Sequence, residues 1–214
     1  MSMIEFILYI QRDLQLSLIR HIELVGISVS AGIITAVPSG ILLSRHKRAA
    51  APVLAIASTV QTVPGLVMLG FALVLMGIGM LPAVVVLSIY AIFPILRNTY
   101  TGITEVDKSY IEAAKGIGMT NMQTLFKVEL PLALSSIIGG IRISTVYIVS
   151  WATLAALIGA GGLGDQIWTG LATCNTRMIL AGAIPSAALS LILSGLIGLL
   201  QRILTPRGLK GVRV

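Results

Sequence analysis

Charge is scarce in this sequence: 11% of its 214 residues are Asp, Glu, Lys or Arg, where a soluble domain carries about a quarter. That shortage, with a mean hydropathy of +0.98, excludes an ordinary soluble globular domain. A single cysteine, Cys174, excludes an intrachain disulfide and any thiolate metal site built from this chain alone. The two histidines, His21 and His46, stand isolated beside the two ends of the first apolar run, so no shared metal site is expected. No G-x-x-x-x-G-K-[ST] phosphate loop occurs, which excludes ATP hydrolysis by that device. There is no G-x-S-x-G elbow, no cluster of His with carboxylates and no pair of intramembrane acids, so an intramembrane enzyme finds no support.

What is present is long apolar runs. A helix needs about 20 apolar residues to cross roughly 30 Å of hydrocarbon. Leu24 to Ser44 is one such run. Ala49 to Leu96 carries no formal charge and is long enough to cross twice, with the turn expected at Gly77 to Pro82, "GIGMLP". Leu132 to Ile158, interrupted by Arg142, and Met178 to Leu200 complete five spans. The fold expected is an all-α polytopic membrane protein with one domain over 1–214. It divides into an N-terminal interfacial helix at 1–22, a five-span core at 24–200, a cytoplasmic loop at 104–131 and a cytoplasmic tail at 201–214.

The net charge of +7 is distributed in short clusters between apolar runs. A nucleic-acid binder would carry it on one solvated face, so no nucleic-acid partner is expected. Lys and Arg accumulate in short cytoplasmic loops. Arg45, Lys47 and Arg48 follow span one; Arg97, Lys108, Lys115 and Lys127 lie between spans three and four; Arg202, Arg207, Lys210 and Arg213 follow span five. The other side receives Arg12, Arg20 and Arg177. This asymmetry places the N-terminus outside and the C-terminus in the cytoplasm. The opening stretch has Glu5 and Asp13 where a signal peptide needs a basic head, so it is expected to be retained. Ile4, Ile7, Leu8, Leu14 and Leu18 recur at helical spacing, which favours a helix lying in the interface over a frayed terminus.

The loop between spans three and four is unusually polar. Thr104 and Asp107 have capping-box spacing for a first short helix, with Val106, Tyr110, Ala113 and Ile117 as an apolar stripe and Lys108–Glu112 as an i, i+4 pair. Gly116 and Gly118 end it, and Thr120 with Gln123 has capping-box spacing for a second short helix bearing Met122, Leu125 and Phe126. Pro131 then suits the first turn of span four. Helices this short are marginal alone in water and need a partner surface.

The pattern Glu112, Ala113, Ala114, three residues, Gly118, nine residues, Val128, one residue, Leu130, Pro131 resembles the EAA loop of inner-membrane permeases of bacterial ABC importers. Val128 stands where Ile is common. "SRHKRAAAPVL", "VQTVPGLVMLGF", "GIGMLPAVVVLSIYAIFPILRNTYTGI" and "ATLAALIGAGGLGDQIWTGL" resemble, more narrowly, the permeases of osmoprotectant importers, which move glycine betaine, carnitine, choline and related compounds. The resemblance implies a multi-pass protein of the bacterial inner (plasma) membrane with the type I ABC importer permease fold. It implies a second permease subunit, identical or paralogous, and ABC ATPase subunits that handle ATP and Mg. An extracytoplasmic substrate-binding protein and surrounding lipid complete the partners. No cofactor is expected on this chain, and no catalytic or metal residue. Glu112, Ala113, Ala114, Gly118, Leu130 and Pro131 are the ATPase-coupling candidates. Two rival readings are a permease for an amino acid such as methionine and a passive channel subunit; the latter has no need of an ATPase-docking loop.

Gly159, Gly161 and Gly164 satisfy G-x-G-x-x-G but follow a membrane helix, with no acidic residue about twenty positions on, so an extracytoplasmic turn into a short helix is expected. There Trp168 suits the interface, and Asp165 faces a solute-delivering partner. For Arg142, within span four, a gate or ion pair and simple snorkelling both stand. Gln61 and Pro64 either break span two and border a passage or form a packed kink. A quaternary ammonium is bound by aromatic faces, which makes Tyr90, Phe93, Tyr147 and Trp151 candidates for the translocation path alongside a packing role.

Overall fold

The computed structural model describes residues 3–205, with side chains from Glu5 onward. Arg207, Lys210 and Arg213 of the expected tail lie outside the described residues. These form helices α1 (Met3–Tyr9), α2 (Gln11–Arg45), α3 (Lys47–Thr62), α4 (Gly65–Met76), α5 (Met80–Thr104), α6 (Lys108–Gly116), α7 (Asn121–Thr124), α8 (Leu130–Ala155), α9 (Gly164–Ala172) and α10 (Thr176–Leu204). A π-helical turn, Leu125–Glu129, joins α7 to α8, and a 3₁₀ turn, Ala156–Ile158, follows α8.

Four helical stretches are long and apolar enough to span, and α3 with α4, bent by 88° at their break, passes the same test as a pair and makes a fifth when counted as one broken span. Helices α2, α5 and α8 make the core, where Leu24, Leu87 and Ile148 are fully buried. Helix α10 packs on α8 and α9 and turns Leu191 and Leu196 outward. The expected turn after span two is present, with Gly77 and Gly79 at positive φ and the Gly79 N–H donating to the Ile158 carbonyl.

The structure corrects several expected boundaries. The expected interfacial helix at 1–22 is not one separate element over its described residues: α1 covers Met3–Tyr9, and α2 runs unbroken from Gln11 into span one, with no glycine or proline between Gln11 and Val25 to interrupt it. Phe6 and Ile10 instead pack on Ala181 of α10. The first loop helix is not capped by Thr104, which closes α5 and bonds back to the carbonyls of Tyr100 and Thr101. The second loop helix forms as α7, but it continues through the π-turn into α8, so that Asn121–Ile158 is one 38-residue helical stretch. Pro131 occupies the first turn of α8, as expected, and the π-turn before it, with the Leu130 N–H reaching the Leu125 carbonyl, joins α7 to α8 at the residue that lacks a donor.

At the opposite end, His21 is fully buried and holds three elements together. Its Nε2 lies 3.1 Å from the Val149 carbonyl and its Nδ1 accepts the Leu163 N–H at 3.3 Å. Those partners set the neutral tautomer with the proton on Nε2. His46 ends the same helix 25 residues away, about 38 Å, which separates the two rings beyond any shared ligand.

Candidate functional site

The loop Glu105 to Leu130 is built by its caps. Asp107 is the N-cap of α6 and accepts the Ser109 N–H. That backbone bond first, and the Ser109 hydroxyl second, hold its carboxyl below the ordinary range. No ion pair joins Lys108 to Glu112, so the expected pair contributes nothing here. The helix ends in a Schellman motif: the Gly118 N–H reaches the Lys115 carbonyl and the Met119 N–H reaches the Ala114 carbonyl. Gly118 sits at φ +81°, a left-handed conformation that a side chain strains. Gly116, expected to share the reversal, is the last helical residue. Thr120 and Gln123 form the expected reciprocal capping box.

This frame sets a greasy surface outward. Tyr110, Ile117, Met122 and Phe126 are exposed, Glu112 and Ala113 lie exposed beside them, and Ala114 and Leu125 are buried beneath. Exposed apolar side chains clustered on a loop mark an interaction surface. Leu130 and Pro131, partly buried, lie where the loop becomes the membrane helix.

Two residues missed in the sequence fasten that loop to span one. Glu129, in the π-turn, is buried, and Arg45, the last residue of α2, donates to both its oxygens at 3.2 and 2.5 Å. The sequence did carry a signal: Glu129 is an acid at the membrane end of the loop, and Arg45 stands in the basic cluster after span one.

The path candidates divide. At the break, Val63 is extended, as a residue before proline must be. Its carbonyl accepts the Tyr90 hydroxyl, and Tyr90 stacks on Trp151 with centroids 5.2 Å apart. Trp151 also covers Gly65, where an added Cβ would fall 1.7 Å from the ring. Pro64, Tyr90 and Trp151 thus meet at one place and brace the broken span; the two aromatics face each other, not an open cage. Gln61 and Phe93 are partly buried. Tyr147, half exposed and one turn from Trp151 on α8, lines a cavity with Arg142, Ser194 and Gln201. At the other end, Trp168 is anchored inward by donating to the Thr153 carbonyl, and Asp165 is exposed.

Residues 28–209 match the family described as binding-protein-dependent transport system inner membrane component. The chain belongs to that family. As a binding-protein-dependent permease it has close curated relatives. It is 46% identical over 193 residues, 90% of this chain and 89% of the other, to the glycine betaine/carnitine/choline transport system permease protein OpuCB of Bacillus subtilis. It is 46% identical to the carnitine transport permease protein OpuCB of Listeria monocytogenes, covering 91% of this chain and 89% of the other. With the osmoprotectant import permease protein OsmW of Salmonella typhimurium it shares 41% over 89% of this chain and 91% of the other. Among solved structures, inward-facing conformations of the MetNI methionine ABC transporter match with TM-score 0.80 at 24% identity, covering 96% of this chain and 100% of that one. That likeness shows the all-α, multi-pass fold of an ABC importer permease.

Proposed function

We propose that this permease is the membrane subunit of an ATP-driven importer for quaternary-amine osmoprotectants such as glycine betaine, carnitine and choline. The observation that carries the reading is its 46% identity, over 90% of its length, to a permease named for those three solutes. Two permease subunits form the passage, two ATPase subunits bind and hydrolyse ATP with Mg, and an extracytoplasmic binding protein delivers the solute. This chain performs no covalent chemistry. The N-terminus lies outside and the C-terminus in the cytoplasm, which puts the exposed loop surface on the ATPase side.

In this mechanism the ATPase grips α6 and the start of the α7–α8 rod. Tyr110, Ile117, Met122 and Phe126 enter its groove, exposed Ala113 lets the helix approach closely, and Glu112 meets a basic residue. Gly118 sets the angle between the two gripped helices, and Leu130 and Pro131 carry the displacement into span four. Closure of the ATPase pair then tilts the spans and alternates access to the solute path.

The test is solute-stimulated ATPase activity of the whole reconstituted complex with its binding protein, comparing glycine betaine, carnitine, choline and methionine. Stimulation by quaternary amines and not methionine supports the reading. Stimulation by methionine alone keeps the coupling mechanism and discards the solute class. Uptake without any ATP requirement would instead indicate a passive pore.

A further inference from the structure

A cavity of about 930 Å³ opens between α8 and α10, lined by Ser135, Arg142, Gly198, Gln201, Arg202 and Thr205. A second, of about 430 Å³, shares Arg142 and Gln201 and adds Tyr147. Arg142 is the thirteenth residue of α8, about 18 Å along the helix from Leu130, within the fourth apolar stretch. An intramembrane arginine needs protein, water or an anion around it.

The protein supplies position without neutralisation. Arg142 Nε donates to the Ser194 hydroxyl at 2.8 Å, and its guanidinium lies along Gly198, with Nη1 3.3 Å from where a Cβ would stand. Neither terminal nitrogen has a hydrogen-bond partner among the described residues. Among the described residues no acidic side chain pairs with it. Of the chain's eight acidic side chains, Glu5, Asp13, Glu23 and Asp165 lie at the far ends of the spans, Glu105, Asp107 and Glu112 in the loop, and Glu129 is taken by Arg45. A second copy of the chain adds none at that depth. That leaves the guanidinium open to an anion from outside this chain.

We propose that Arg142 is the station where the carboxylate of a zwitterionic solute is held during passage, with the half-exposed ring of Tyr147 facing the solute's quaternary ammonium. This rests on the osmoprotectant reading above. A planar guanidinium with both terminal nitrogens open suits a carboxylate, and an aromatic face suits a cation that has no N–H. The pair gives the permease its own discrimination: glycine betaine and carnitine carry a carboxylate, and choline carries only the ammonium and a hydroxyl.

The experiment uses the complete complex of permease, ATPase and binding protein in liposomes, with Arg142→Gln and Arg142→Lys. Uptake of glycine betaine by Arg142→Gln is expected to fall relative to choline by about tenfold or more, equivalent to ~1.4 kcal/mol, with partial recovery in Arg142→Lys. Where the wild-type complex carries only carboxylate solutes, the readout is their lost uptake at unchanged binding-protein-stimulated ATPase, again recovered by Lys. Equal loss of both solutes, no loss, or no recovery by Lys overturns the proposal. So does a wild-type requirement for anionic lipid that Arg142→Gln abolishes with the solute ratio unchanged, since that assigns the guanidinium to a lipid phosphate. A wild-type complex that moves no quaternary amine at all fails the osmoprotectant reading itself, which is a separate outcome.

Discussion

Glu129 is buried against Arg45, both carboxylate oxygens engaged by one guanidinium, 84 positions apart in the chain. The pair ties the base of the exposed loop to the end of span one. Removing one partner leaves the other charge without its match at the membrane surface, which costs about 1–3 kcal/mol where the arginine keeps some access to water. Arg45→Gln and Glu129→Gln are each expected to insert and to hydrolyse ATP with the ATPase, yet to move less solute per ATP. Exchange of the two residues, Arg45→Glu with Glu129→Arg, restores part of that ratio. Transport per ATP equal to wild type in both single variants would remove the pair from the coupling path.

Gly118 sits at φ +81°, and valine there costs about 1–2 kcal/mol in the left-handed region. Under the proposed coupling role, Gly118→Val is expected to insert at normal abundance and to lose uptake by at least about tenfold, because α6 and α7 then meet at the wrong angle. Uptake at the wild-type rate and equal abundance would count decisively against the role given to this residue.

Gly65 carries no side chain because Trp151 occupies the space. Gly65→Val must displace the indole from both Gly65 and Tyr90, with a loss of about 1–3 kcal/mol from overpacking. The thermal midpoint in detergent should fall, and Trp151→Ala added to Gly65→Val should cost less than the two single changes summed. Strict additivity would show that the ring does not brace the break.

His21→Ala leaves the Leu163 N–H and the Val149 carbonyl without their buried partner, a loss of about 2–4 kcal/mol with the cavity included. Hydrogen exchange at Leu163 should rise sharply, while exchange in the loop around Gly118 should not. Equal exchange at Leu163 in both proteins would contradict the clamp.

Apolar runs and their punctuation made most of this fold legible in advance. The five crossings follow from uninterrupted hydrophobic length, and Gly77 to Pro82 announced its turn. The Thr120–Gln123 capping box was readable because its bonds are local. Pro64 marked the break, but its brace was not readable: the Tyr90 hydroxyl and the Trp151 ring arrive from helices 27 and 86 positions away from Val63 and Gly65. For the same reason Arg45 and Glu129 passed as ordinary members of a basic cluster and a polar loop. Pro131 announced the first turn of α8, but nothing local announced the π-turn before it, through which α7 runs into α8 without a break.

That continuity makes Asn121–Ile158 one helical rod about 57 Å long, with the π-turn and Pro131 near its loop end. A tilt of about ten degrees about one end would sweep the other through roughly 10 Å by simple geometry of that length. Under the proposed coupling the loop is the driven end, the Arg45–Glu129 contact lies beside it as a fulcrum, and small strokes there become large ones at the far mouth, beside Leu163 and His21.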